Sequence, residues 1–223
     1  MSANQPAAVL FDLDGTLVDS ERDNVESVVL AVRHLGAELD AEDRQFVIGH
    51  SWNEIHARIV RRHGLGVSMP ALIASAVEEK RGLLAAKGYQ ALPGAVAAVR
   101  RLARHSPLAV VSGASRTEVE DAVVSLGVRD AFEFLLGAED YARGKPDPEP
   151  YLMAIQRFDV RPGACIVIED ATPGILAGRA AGARVVGVRA GNFSGYDLSA
   201  AHVVVDTLDQ ITDELCAGLL QEI

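Results

Sequence analysis

Asp12 and Asp14 follow an apolar run, Ala7 to Phe11, with only Leu13 between them. Buried carboxylates are costly, and two like charges this close need a cation, a shared proton or a local turn to be tolerated. Groups of similar character stand after or between other apolar runs: Ser112 with Gly113 and Ala114, the pair Glu169 and Asp170, and Lys145 in the loop GKPDPEP. Four carboxylates, a hydroxyl and a lysine brought to one place suit phosphoryl transfer through a covalent aspartyl phosphate. Asp12 is then the nucleophile, because a carboxylate can split one hard displacement into two easier ones. Asp14 is the acid and base, protonating the leaving oxygen and later taking a proton from water. Lys145 neutralises phosphate charge, Ser112 with the Gly113 and Ala114 amides holds the phosphate oxygens, and Thr16 joins the substrate set. Mg²⁺ prefers an octahedron of oxygens and keeps some water. Asp12 and Asp170, with the Asp14 carbonyl, are the expected direct ligands, and Glu169 completes the candidate metal set.

Each of these residues also has a plainer reading. Ser112 could cap a helix beginning near Ser115, Asp170 could cap one after Pro173, and Lys145 beside Pro146 could be an exposed loop lysine. Caps and phosphate cradles use the same free amides, so such readings are compatible with function. His34, His50, His56, His63, His105 and His202 show no ligand spacing and read as surface or packing residues. The arginines of ARIVRR (57 to 62) read as a solvated helix face.

Bringing the candidate residues together requires a particular scaffold. The runs AAVLF (7 to 11), PLAVVS (107 to 112), CIVIED (165 to 170), RVVGV (184 to 188) and HVVVD (202 to 206), with a weaker one at FEFLLG (132 to 137), are apolar without alternation. That is the pattern of parallel strands covered on both faces, and helical patterns fill the connections, so an α/β fold is expected. Ligands of such sheets bind beyond the carboxyl ends of the strands, where the candidate residues fall. Between the first two runs the chain reads as all helix, in ERDNVESVVLAVRHLG, SWNEIHARIVRRHG and MPALIASAVEEKRGLLAAKG. We therefore expect a catalytic core of residues 1–17 and 90–223 with a helical cap inserted at 18–89, the core reopening at Pro93-Gly94.

The chain has 223 residues, 49% of them hydrophobic, enough to bury a substantial core. Its net charge of -10 argues against non-specific binding to nucleic acid or anionic membranes. The opening MSANQPAA lacks the features of a signal peptide, and no apolar stretch is long enough for a bilayer. Cys165 and Cys216 have no metal-like or redox-like spacing and read as core packing. A cytoplasmic monomer is expected.

DLDGTLVDSE, VVSGAS, GKPDPEPY and VIEDATPGI, in that order, resemble the four signature motifs of the haloacid dehalogenase superfamily. The resemblance implies a Rossmann-like three-layer core, a helical cap, Mg²⁺ dependence, and the roles given above for Asp12, Asp14, Ser112, Lys145 and Asp170. The Glu169-Asp170 pair is similar to the branch of β-phosphoglucomutase and small sugar phosphatases; phosphoglycolate phosphatases more often carry Gly-Asp there. Two departures weigh against a mutase. Trp52 follows Ser51 where the mutase pattern has an arginine for a second phosphate, and Asn24 stands where it has a histidine. The expected function is a Mg²⁺-dependent phosphatase of sugar or polyol monophosphates, with β-phosphoglucomutase as the alternative. A non-enzymatic phosphoacceptor resembling a response-regulator receiver would need neither Asp14 nor the helical insert, and haloacid dehalogenation would need neither Mg²⁺ nor the second aspartate. Trp52 is expected either to stack on a sugar or to pack between cap helices.

Overall fold

The computed structural model describes residues 5–48 and 50–221. Met1 to Asn4, half of the segment read for a signal peptide, lie outside the described residues. The strands are β1 (Ala8–Phe11), β2 (Leu108–Val111), β3 (Phe134–Leu136), β4 (Cys165–Glu169), β5 (Arg184–Val188) and β6 (Val203–Val205). The helices are α1 (Ser20–His34), α2 (Ala41–Val47), α3 (Trp52–His63), α4 (Met69–Lys87), α5 (Ala95–Leu102), α6 (Arg116–Ser125), α7 (Glu149–Arg157), α8 (Thr172–Ala180) and α9 (Asp213–Gln221). Every apolar run read as a strand is one; RVVGV keeps its full length as β5, and the others lose a residue or two at one or both ends. The strands pair in parallel throughout, in the order β3-β2-β1-β4-β5-β6.

Strand geometry explains the continuous hydrophobicity. Successive side chains point to opposite faces, so Val9 and Phe11 of β1 enter one core cluster while Ala8 and Leu10 enter another. Val99 of α5, Val119 of α6 and Leu219 of α9 cover the first face, and Tyr151 of α7 and Ile175 of α8 cover the second. The result is the three-layer Rossmann-like core.

The chain divides into two compact units, one running to Asp19 and including Tyr89–Asn192 and the residues from Tyr196 onward, the other Ser20–Gly88 with Phe193–Gly195. The helical unit has its own core of Val28, Val32, Ile55, Ile59 and Leu72, among others. It contains one helix more than the three read from periodicity: α2, at seven residues, is too short to display a repeat. Polar contacts define α2 instead. Asp40 caps it by accepting from the Asp43 amide at 2.9 Å, and Asp43 itself is 1% exposed.

Asp43 revises the reading of the arginines as a solvated face: Arg61 and Arg62 are exposed, but Arg58 is not, and both Arg58 and Arg62 are committed to its carboxylate. Arg58 Nε at 2.9 Å, Arg62 Nη1 at 2.7 Å and His63 Nε2 at 2.8 Å converge on its carboxylate. The spacing of 58 and 62 places both on one face of α3, where a buried carboxylate needs their charge. Burial alone would raise the Asp43 pKa, but the hydrogen bonds from Arg58, His63 and Arg62 outweigh it and hold it at about 2, below the usual 3.8. A depressed carboxylate pKa stabilises the fold above the unfolded value and loses that contribution as pH falls through the folded one. Asp43→Asn is therefore expected to lower stability by about 2 kcal/mol at neutral pH, a difference that shrinks between about pH 4 and pH 2. Urea unfolding across that range checks it, and parallel curves for the two proteins would contradict it.

Candidate active site

The site grows from the carboxyl ends of β1 and β4. The Asp12 amide donates to the Ile168 carbonyl at 3.0 Å, carrying the ladder one residue past β1. Alternation then assigns Asp12 to the face of Ala8 and Leu10, and Glu169 to the face of Cys165 and Val167, which is the same face. β1 lies between β2 and β4, so the chain leaves it in one direction and returns on the other side; this reversal of strand order opens a crevice at the strand ends.

Lys145 is no exposed loop residue. Its Nζ lies 2.5 Å from Asp12 Oδ1, 2.7 Å from Glu169 Oε1 and 2.9 Å from the Val111 carbonyl, which together use its three protons. The loop that carries it is held by the Ala142 amide and Arg143 Nε, each donating to the Glu149 carboxylate at 2.9 Å. Asp170, 6% exposed, does not cap α8, whose N-cap is Ala171 without a side-chain bond. It accepts instead from Thr16 Oγ1 at 3.1 Å, so Thr16, read with the substrate residues, holds a carboxylate. Gly15 makes that approach feasible: its φ is +76°, and a Cβ there would fall 2.2 Å from Asp170 Oδ2.

Asp14 is half-buried in the tight turn that follows, where the Gly15 amide donates to the Val18 carbonyl. Ser112 is buried, its amide donating to the Leu136 carbonyl, its Oγ accepting from the Ala114 amide at 3.1 Å, and its carbonyl accepting from the Tyr141 hydroxyl at 2.7 Å. It does not cap the next helix; Ser115 does, in a capping box with Glu118. Gly113 is exposed and Ala114 half-buried. Trp52 belongs to the helical unit, half-buried against that unit's own core, next to the Ser51 cap of α3.

Charge within the site is unbalanced. One oxygen from each of Asp12, Glu169 and Asp170 lies within 4.8 Å of the others, and all three residues are buried. Burial, and then repulsion from Glu169, push Asp12 well above its usual pKa despite Lys145, which pulls it down. Burial and Glu169 likewise raise Asp170 to about 7. Burial would lower Lys145, but Asp12 and Glu169 hold it well above the usual lysine range, so it stays charged. Three carboxylates facing one ammonium form an anionic, oxygen-only donor set, the chemistry that fits a divalent cation.

Two contributors escaped the sequence reading. Tyr141 and Tyr151 donate their hydroxyls to the Ser112 carbonyl and to Glu169 Oε1, each at 2.7 Å. A buried tyrosine reads as core from sequence, and nothing in its spacing reveals where its hydroxyl goes. Cys165 and Cys216 are buried, with burial raising both thiols to about 11, which leaves them inert packing. No described helix is long and apolar enough to cross a membrane.

A doubly wound sheet whose switch-point crevice holds a carboxylate triad and a buried lysine has a charge arrangement that suits phosphoryl transfer. Residues 9–188 match the model of the haloacid dehalogenase-like hydrolases, and the chain belongs to that family. It is 33% identical to hexitol phosphatase A of Escherichia coli (strain K12) over 91% of this chain and 92% of that protein. It is 32% identical over 82% of its length to the bifunctional riboflavin kinase/FMN phosphatase of Arabidopsis thaliana, of which it spans only about half, 48%. Among solved structures, the β-phosphoglucomutase of Clostridium difficile superposes with a TM-score of 0.70 at 27% identity, covering 98% of each chain.

Proposed function

We propose that this hydrolase is a Mg²⁺-dependent phosphatase of sugar or polyol monophosphates, working through a phosphoryl group carried on Asp12. The observation that carries the reading is the buried Asp12 carboxylate, set between a charged Lys145 and two further carboxylates. Asp12 attacks phosphorus as the bond to the sugar oxygen breaks, and the Asp14 carboxyl supplies the proton that the leaving oxygen needs. Asp14, now a carboxylate, takes a proton from water as the water oxygen attacks phosphorus, releasing inorganic phosphate and restoring Asp12. Lys145, Ser112 and the amides of Gly113 and Ala114 balance and orient the phosphate oxygens through both halves. Asp12 and Asp170, with the Asp14 carbonyl, would hold Mg²⁺, which when bound neutralises the charge of the phosphate. The hexitol phosphatase relative supports a polyol phosphate as substrate.

The similarity to a β-phosphoglucomutase supports a second reading, phosphoryl transfer between two positions of one sugar. Trp52 disfavours it, since an aromatic ring stands where a mutase needs a cation for a second phosphate. We assign the choice among substrates to the insert, residues 18–89, and to Trp52 within it. Phosphate release from a panel of phosphorylated metabolites, with Mg²⁺ and with excess EDTA, tests the activity. Release from sugar or polyol monophosphates, abolished by EDTA, is expected; full turnover in EDTA would contradict the metal, and primer-dependent isomerisation of glucose 1-phosphate without net release would favour the mutase. Trp52→Ala is expected to reorder the panel while p-nitrophenyl phosphate turns over as before. One common fall across the panel, with a lower Tm, would reduce Trp52 to packing in the helical unit.

A further inference from the structure

Glu169 is the most heavily engaged carboxylate of the site. Oε1 accepts from Lys145 Nζ and from the Tyr151 hydroxyl, both at 2.7 Å, while Oε2 faces the amides of Asp170 at 3.2 Å and Ala171 at 3.5 Å. The helix behind it leaves no slack, because Gly174 of α8 comes so near that a Cβ there would lie 1.7 Å from Oε1. Tyr151 is wholly buried in α7, and its ring lies beneath the lysine, with Nζ 5.0 Å from the centroid. One side chain thus holds the carboxylate by its hydroxyl and the ammonium by its ring.

We infer that Tyr151 is a positioning residue, which locks the Glu169 carboxylate so that Lys145 is shared with Asp12 and the Asp170 carboxylate is presented to the metal. Lys145 has three protons and three acceptors, one of which is Glu169 Oε1. With the tyrosine hydroxyl present, Oε1 has a second donor and makes a smaller claim on the lysine. Without it, Oε1 is a buried anionic oxygen with one partner, and the remedies open to it are to draw Nζ away from Asp12 Oδ1 or to rotate. Rotation breaks the contacts of Oε2 with the amides of Asp170 and Ala171, the segment that aims Asp170. Either movement disturbs the triad although Tyr151 itself is no ligand and reaches the site only through Glu169 and Lys145, the way an outer partner of a metal site acts.

The inference rests on the metal-dependent reading above, and Tyr151→Phe separates the two. Phenylalanine keeps the ring, the packing against the sheet and the contact with Lys145, and removes only the hydroxyl. Mg²⁺ affinity, measured by calorimetry on the substrate-free protein, is expected to weaken by about 10-fold or more, with kcat falling and KM for p-nitrophenyl phosphate nearly unchanged. In a Glu169→Gln background the same substitution is expected to have little further effect on Mg²⁺ affinity, since the group through which Tyr151 acts is already altered. Wild-type protein that bound no divalent cation would defeat the metal-dependent reading itself. Wild-type binding with an unchanged affinity in Tyr151→Phe, or a full effect of the substitution in the Glu169→Gln background, would overturn the positioning role while leaving the proposed function in place. A lower Tm with unchanged Mg²⁺ affinity would likewise leave Tyr151 as core packing.

Discussion

Asp12→Asn is expected to lower kcat by at least about a thousandfold, because the amide neither attacks phosphorus nor binds a cation well. The fold should survive the change. Asp12 belongs to a buried set with more negative than positive charge, so removing one charge relieves repulsion from Glu169 and Asp170, and the amide oxygen can still accept from Lys145. The metal-free variant is therefore expected to unfold at a temperature equal to or above that of the wild type. Mg²⁺ should stabilise it less than it stabilises the wild type, since one ligand has been weakened. Single-turnover assays with and without Mg²⁺, read beside thermal unfolding, check each part. Turnover above what trace deamidation back to aspartate supplies would remove Asp12 from the nucleophile's role. Lost activity accompanied by a large drop in Tm would instead assign it to structure.

Lys145→Met is expected to have the largest effect on stability. Lys145 is 12% exposed at its side chain and pairs with Asp12 and Glu169, which are 10% and 2% exposed. Methionine preserves most of the stem's length but leaves three buried carboxylates without an ammonium. Removing one partner of a buried pair costs about 3–5 kcal/mol. The loss should grow as pH rises, because carboxylates whose folded pKa is raised favour the folded state most when protonated, and Asp170 already stands at about 7 with the lysine present. Mg²⁺, which supplies the missing charge, should raise the Tm of the variant by more than it raises that of the wild type. Activity should fall by about a hundredfold or more even with the metal in excess, as the phosphate loses a cation as well. Equal stability of the two proteins from pH 5 to pH 8 would show that Lys145 does not balance the triad.

The two variants address one arrangement from opposite sides. Asp12 brings charge that burial and repulsion make costly and, on the proposed function, reactive toward phosphorus, and Lys145 brings the charge that makes it tolerable. Their opposite expected effects on metal-free stability follow from that balance, whatever the substrate.

Much of this was legible in the sequence because it depends on local pattern. A run such as AAVLF, apolar at every position, admits few structures other than a strand covered on both faces, and a carboxylate immediately after it must then lie at a strand end. Parallel pairing sends all such ends to one edge of the sheet, so Asp12, Glu169 and Asp170 could be brought together before any coordinate was known. Tertiary structure alone decided the partners. Lys145 and Asp12 are 133 residues apart and Thr16 and Asp170 are 154 apart, and nothing near either member of a pair in the chain specifies the other. The same holds for the Tyr151 hydroxyl, and for Arg58 and Arg62, whose shared partner is a carboxylate buried on the short helix α2. Periodicity reports which face of an element is apolar, since that is a property of the element itself; which polar atom fills the last lone pair of a buried carboxylate depends on how separate elements pack, and one turn of a helix or one residue of register would change it.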